Sequence, residues 1–429
     1  MRKVFSRQAA ILGFCTAALQ LPSMAAAETA ATPVPVFEPV PFPATDEQKR
    51  QILASPAITV DGKTTQIGFN TILRSGDKKG EGVFGLLLDE KGNPIKNNDG
   101  SEHISVDNDF SSLLPVGDKL FMVSHFESRP GAMYLTELQQ EKATGKLSAI
   151  STKNIDMSGV GGLWVPCAGS VTPWMTHLGS EEYPNNARLT ENAKTMEEIE
   201  DYDKPMARYF GLDPYAGAAT ASTATATAAA TQNQTATSVD DFRKVFKPYR
   251  YGYPVEVTVD ASGNAKVVKH YAMGRTAVEL AKIMPDNKTA YISDDGTNVG
   301  FFLFIADQPK DLSSGKLYAA KWQQISAANS GVAELEWIDL GHADNAGIKK
   351  AIEEDGVTFS SIFEVSNPKE GGACEAGFTS INTTDGHECL KLKEGMDTIA
   401  SRLETRRYAP YTRATTRPPT QETLLLHTH

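Results

Sequence analysis

The sequence predicts an all-β chain and, among all-β architectures, a β-propeller. Three observations carry that expectation. Short apolar or alternating runs recur at regular spacing, each closed by Gly, Asn, Asp or Pro turns. They group in threes and fours, as strands do in the blades around a propeller's channel. The 429-residue length suits one large β architecture.

The chain opens MRKVFSRQAAILGFCTAALQLPSMAAAETAA. Arg2, Lys3 and Arg7 form a basic start, residues 9–21 an apolar run, and Ala25, Ala26 and Ala27 a small-residue cleavage site. This is the layout of a secretory signal over residues 1–27. The run is too short for a membrane span, and Cys15, behind bulky Phe14, does not read as a lipid-attachment site. No twin-arginine pattern occurs, so the expectation is export unfolded, to the periplasm or the medium, with no membrane span once the signal is cleaved. Residues 28–66 read as an N-terminal extended segment and residues 67–416 as the propeller.

Within the propeller, strand runs at 121–124 and 133–137 flank the turn-prone SRPG. A meander follows: YPVEVTV, a DASGN turn, then AKVVKHYAM. Next come VELAKIM, PDNK, TAYISDD, GTN and VGFFLFIAD, and then GKLYAAKWQQ and AELEWIDLG. Residues 190–202 (TENAKTMEEIEDY) and 341–354 predict helical interruptions. Residues 216–237 are Ala/Thr-rich without large apolar side chains, which predicts a disordered insert with no chemical role.

The formal charge is −11, and it moves to about −14 when the signal's three cations leave with no acid. That balance excludes nucleic-acid binding, which runs on cationic contacts to phosphate, and suits a protein that carries bound cations. No amphipathic partner helix stands out, which leaves the oligomeric state unread, and a monomer is the default expectation. No Walker loop, Rossmann fingerprint, HExxH or GxSxG motif is present. The candidates for chemistry are therefore carboxylates and one thiol.

Three cysteines remain after the signal: Cys167, Cys374 and Cys389. Export permits disulfides, and the short spacing pairs Cys374 with Cys389, leaving Cys167 to be explained by chemistry or by burial. It opens CAGSVTPWMTHLGSEEY. A turn near 170–173 would return residues 161–167 as 175–182. Strand alternation would then send Glu181 and Glu182 to opposite faces, so that only one shares a site with Cys167. The plainer alternatives are a small buried apolar thiol and solvated glutamates. In VELAKIMPDNKTAYISDDGTN, Glu279 and the pair Asp294, Asp295 lie at the open end of one hairpin. Asp294–Asp295–Gly296 could be an ordinary turn. Glu279, however, is embedded among Val278, Leu280 and Ala281, and such a carboxylate calls for a cation or an arginine such as Arg275 nearby. Clustered carboxylates suit calcium, whereas a thiolate suits iron or zinc.

These segments together resemble the PhoX-type alkaline phosphatases, exported bacterial phosphomonoesterases. The resemblance rests on Cys167-Ala168-Gly169, Thr172-Pro173-Trp174 and Glu181-Glu182, then on Met273-Gly274-Arg275, Glu279 and residues 291–296 (YISDDG). It runs from about residue 68 to 408, interrupted by the Ala/Thr insert. The family implies a propeller whose channel holds an iron–calcium cluster. On that resemblance Cys167 is a thiolate ligand of iron, Glu182 a metal ligand, and Glu279 and Asp295 the carboxylates that complete the shell. A small phosphate monoester would bind across the cations and be attacked in line by an oxygen they hold, without a protein nucleophile.

The sequence departs from the family in several places. Where the family often has Asn-His-Glu, this chain has Ser124-His125-Phe126-Glu127, so either Ser124 or Glu127 could stand for the asparagine ligand. Val278 replaces a frequent histidine, and the spacing from Glu279 to Asp295 is short. Residues 403–416 (LETRRYAPYTRATT) resemble a segment that in the family continues into further blades supplying a glutamate and an arginine. Here residues 417–429 (RPPTQETLLLHTH) show no strand pattern, which suggests a frameshift or truncation, an incomplete propeller and an inactive product. Two other readings compete: a calcium-dependent lactonase or phosphotriesterase with no use for Cys167, and a non-catalytic calcium-stabilised propeller.

Overall fold

A computed structural model describes residues 34–49, 51–215, 237–328 and 331–413. The signal at 1–27, nearly all of the low-complexity insert and the 417–429 tail lie outside the described residues. The chain divides into two compact units, Met1–Asn70 and Thr71–His429. In the first, Val36–Phe37, Ala57–Val60 and Lys63–Gln66 pair antiparallel as a three-stranded sheet. Asp61 and Gly62, both at positive φ, make the two-residue turn whose twist suits a hairpin.

The second unit is mostly β, built of antiparallel sheets that follow one another along the chain. The first sheet holds Asn108–Val116, Lys119–Phe126, Ala132–Gln140 and Leu147–Asn154. The second holds Gly169–Val171, His177–Gly179, Val255–Val259 and Ala265–Lys269. The third holds Val278–Ile283, Thr289–Asp294, Phe301–Gln308, Asp311–Ser326 and Val332–Asp344. In these three sheets each strand pairs with its successor in sequence. The fourth is different: Gly386–Leu392 lies between Phe363–Ser366 and Thr379–Thr383. Strand pairing among the described residues does not itself close the sheets into a ring.

Alternation places the core. Leu114, Phe121, Val123, Met133 and Leu135 leave the first sheet on one face and meet Val255, Val257 and Val259 of the second. Each large apolar side chain so buried contributes roughly 1.5–3 kcal/mol. The long excursion between the second and third strands of the second sheet packs Phe242, Phe246 and Tyr251 against Trp164, which precedes that sheet's first strand.

Several expectations need correction. The hairpin after Cys167 turns at 172–176 and pairs only Gly169–Val171 with His177–Gly179. The Thr172 N–H donates to the Thr176 carbonyl and the two threonine hydroxyls bond at 2.7 Å, which sets the turn there. Residues 190–202 do not form one helix. A short helix, Ala187–Asn192, starts earlier under an Asn186 cap and ends where apolar periodicity fails. The later helix is Asn345–Glu353, capped by Asp344. The chain is also not purely β near its end, where Asp397–Leu403 and Thr405–Tyr411 are helices. Among the described residues no helix is long and apolar enough to cross a membrane.

Candidate metal centre

The first hairpin of each of the first three sheets presents two side chains at its open end. In the first sheet these are Asp109, at the start of Asn108–Val116, and Glu127, just past Lys119–Phe126. In the second they are Cys167 and Glu182, flanking Gly169–Val171 and His177–Gly179. In the third they are Glu279, in Val278–Ile283, and Asp295, just past Thr289–Asp294. One topological position, used three times, thus gathers five carboxylates and a thiol.

Two of these side chains sit at β-bulges. The register of the first pair slips between Asn108 and Ser111, and that of the third pair between Val278 and Leu280. Each slip adds one residue to the first strand. Glu279 is that extra residue, and Asp109 lies within the other slip. A bulge frees a side chain from strict alternation and re-aims it. Glu279 can therefore stand among apolar neighbours while its carboxylate reaches Cys167 Sγ at 3.8 Å.

Cys167 joins two groups. Its Sγ and carboxylate oxygens of Asp109 and Glu127 lie within 4.8 Å of one another, and so do Sγ and oxygens of Glu182 and Glu279. Asp109 Oδ2 is 3.6 Å from the sulfur. Donors at about 2.4 Å from one ion are at most about 4.8 Å apart, so each group has the span of a single coordination shell. The electrostatics agree. Among the described residues none of Asp109, Glu127, Glu182, Glu279 and Asp295 has a Lys, Arg or His ion-pair partner. Burial and then the Glu279 charge push Glu182 up to about 8. Glu127 is raised by burial and by Asp109. Burial, reinforced by Glu182 and Glu279, raises the Cys167 thiol strongly. A cation would supply the charge this crowd lacks, so the residues fit a mixed thiolate and carboxylate centre.

The structure separates the paired acids. Glu182 faces the centre, whereas Glu181 is fully buried behind it, 2.8 Å from an equally buried Lys269 Nζ. Glu181 also accepts hydrogen bonds from the Trp164 and Gly252 N–H groups at 3.0 Å, so it braces the loop beneath Cys167. Asp294 is similarly satisfied by the Ala277 N–H at 2.9 Å and Arg406 at 3.1 Å. Asp295 stands beside the centre and accepts from the Tyr183 hydroxyl. Arg275 does not neutralise Glu279: its guanidinium donates to the carbonyls of Tyr251 (2.8 Å) and Asn185 (2.5 Å). Of the two candidates in the first sheet, Glu127 joins the centre, while the Ser124 hydroxyl accepts from Ser111 at 2.8 Å within the sheet. Cys374 and Cys389 are joined by a disulfide in the fourth sheet.

Asp109 and Tyr183 escaped the sequence reading. The run SVDNDFSS holds three polar residues before an alternating strand, a signal for Asp109 that only the bulge makes specific. The Thr172-Pro173-Trp174 motif lies at the far end of its hairpin, where Trp174 Nε1 donates to Glu256 at 2.8 Å. It sets the hairpin and lies away from the centre.

Sheets in chain order with an acidic, thiol-bearing centre at their hairpin mouths define a β-sheet protein whose clustered donors have spacings that suit a cation. The model of a family described as alkaline phosphatase PhoX matches residues 130–413, well over half of the chain. This chain belongs to the PhoX alkaline phosphatase family. It is also similar to a solved structure of Pseudomonas fluorescens PhoX in complex with vanadate, a transition state analogue, at 15% identity and a TM-score of 0.41. The similarity covers 77% of this chain and 60% of that one, so the chain spans under two thirds of that protein's length. No functionally curated protein matches it.

Proposed function

We propose that this chain hydrolyses small phosphate monoesters outside the cytoplasm, using iron and calcium held at the Cys167 centre of a β-propeller. The observation that carries the reading is the convergence of one thiol and four carboxylates from three sheets on donor spacings that suit cations. The propeller is supported by the sheets' order and by the first strand of the second sheet, which touches the first strands of the first and third. That is the contact pattern of innermost strands around an axis.

In this reading Cys167 with Asp109 and Glu127 holds the softer ion, and Glu182 with Glu279 the harder one. When bound, the cations would neutralise the phosphate and polarise phosphorus. The protein's own groups keep that charge field rigid. Tyr183, its pKa raised by burial and by the bond to Asp295, stays protonated and holds Asp295 in place. Arg406 locks Asp294. Glu181 and Lys269 brace the loop from behind. A calcium-only lactonase reading leaves the sulfur, 3.6 Å from Asp109 and 3.8 Å from Glu279, without a task.

Elemental analysis of the purified chain, with aryl-phosphate hydrolysis before and after a calcium chelator, tests the proposal. Bound iron and calcium with chelator-sensitive turnover is the expected result. Calcium without iron and without turnover would leave a binding protein.

A further inference from the structure

A hydrogen-bond chain closed to solvent ends on the backbone of Cys167. The Ser112 hydroxyl is 2.8 Å from His177 Nδ1, His177 Nε2 is 2.7 Å from His125 Nε2, and His125 Nδ1 is 2.5 Å from the Cys167 carbonyl oxygen. Both rings are fully buried and Ser112 nearly so. A carbonyl only accepts, so with neutral rings every proton in the chain points toward Cys167. The rings meet edge to face with centroids 4.7 Å apart, and the Phe110 ring lies against both.

The members of this chain come from the same four segments that bring donors to the centre. Ser112 shares the strand Asn108–Val116 with Asp109. His125 lies on Lys119–Phe126, just before Glu127. His177 opens His177–Gly179, which leads to Glu182. The chain therefore ties the donors of the first sheet to those of the second, although their charges repel one another. At its end it restrains the sulfur. The carbonyl and the Cβ of Cys167 are bonded to one Cα, so pinning the oxygen limits the swing of the side chain. The next carbonyl, that of Ala168, accepts from the Ser180 hydroxyl at 2.6 Å. Two consecutive peptide groups are thus held, one from the first sheet and one from the second.

We infer that the chain from Ser112 through His177 to His125 is the positioning device of this centre, and that His125 is the positioning residue that aims the Cys167 sulfur at its ion. The inference rests on the reading that Cys167 ligates iron. Groups that orient a metal ligand from behind are worth about 10–100-fold in metal affinity.

Two measurements on the full chain test it without turnover: ferric iron affinity, read by competition with a chelator, and the alkylation rate of Cys167 in the metal-free state. His125→Leu removes the donor. It should weaken iron binding about 10–100-fold and speed alkylation, because the sulfur is free to leave the carboxylate crowd. His125→Asn keeps an N–H close to the position of Nδ1 and should return both values toward wild type. Packing alone would give the opposite order, since asparagine fills less of the apolar space than leucine. A folded His125→Leu chain with wild-type iron affinity, or an asparagine variant no better than the leucine one, overturns the inference. If His125→Leu does not fold, Ser112→Ala decides. It removes one hydroxyl remote from the sulfur and lets His177 carry its proton on Nδ1, so that His125 loses its donor. Iron should then bind several-fold more weakly, and unchanged affinity overturns the inference. If Cys167→Ser binds iron as tightly as wild type, the assignment of the centre falls and takes this inference with it.

Discussion

His125 and His177 meet Nε2 to Nε2 at 2.7 Å, fully buried behind Cys167. His125 Nδ1 lies 2.5 Å from the Cys167 carbonyl, which can only accept, so Nδ1 carries the proton. Its Nε2 must then accept from His177 Nε2–H, and His177 Nδ1 accepts from the Ser112 hydroxyl at 2.8 Å. One direction of donation, from Ser112 to Cys167, fixes both tautomers as long as both rings stay neutral.

Burial, and secondarily the neighbouring ring, holds His177 well below its ordinary 6.5. The unfolded chain takes up protons near that value while the fold refuses them. The contribution to stability is therefore complete above pH 6.5 and is lost as pH falls below it. The raised carboxyls of Glu182 and Glu127 work in the opposite direction over this range, so the quantity to measure is the difference in urea midpoint between wild type and His177→Gln, which should move in the variant's favour as pH falls from about 7.5 to 5. Parallel profiles for wild type and variant would contradict the buried neutral pair.

Gly179 passes close over this pair. A Cβ there would stand 2.7 Å from both His125 Nε2 and Met133 Cε. Gly179→Ala should cost about 1–3 kcal/mol through overpacking and abolish the shared imidazole N–H resonance in proton spectra. An unchanged resonance would mean that the dyad tolerates the methyl group.

The adjacent acids should behave in opposite ways. Lys269→Ala leaves the Glu181 carboxylate buried without its cation and should destabilise by about 3–5 kcal/mol, with the metal content of the folded fraction unchanged. Glu182→Gln relieves like-charge crowding, so the chelator-treated variant should melt no lower than wild type, yet bind calcium more weakly. Equal losses of stability in the two variants would show that Glu182 is structural as well.

Cys167 is only partly buried, so Cys167→Ser should fold with an unchanged far-ultraviolet spectrum. Its effect should appear in elemental analysis, as a loss of iron with calcium retained, since an alcohol is a poor substitute for a soft thiolate. Full iron retention would remove the sulfur from the centre.

The sequence by itself determined the antiparallel hairpins, because turn residues and alternation are local. It also offered Cys167, Glu182, Glu279 and Asp295 as candidates for chemistry, because no Walker, Rossmann, HExxH or GxSxG motif competes with them. Tertiary structure alone decided how these residues are used. The bulges at Asp109 and Glu279 depend on register, which a partner strand imposes. Glu181 is set apart from Glu182 by Lys269, eighty-eight residues away, and by the Trp164 and Gly252 N–H groups. Arg275 looked like a counter-ion for Glu279 and instead ties together three loops, because backbone carbonyls that need a donor surround it in the fold. Identity and spacing are properties of the chain, whereas the choice of partner for each charge is a property of the packed interior.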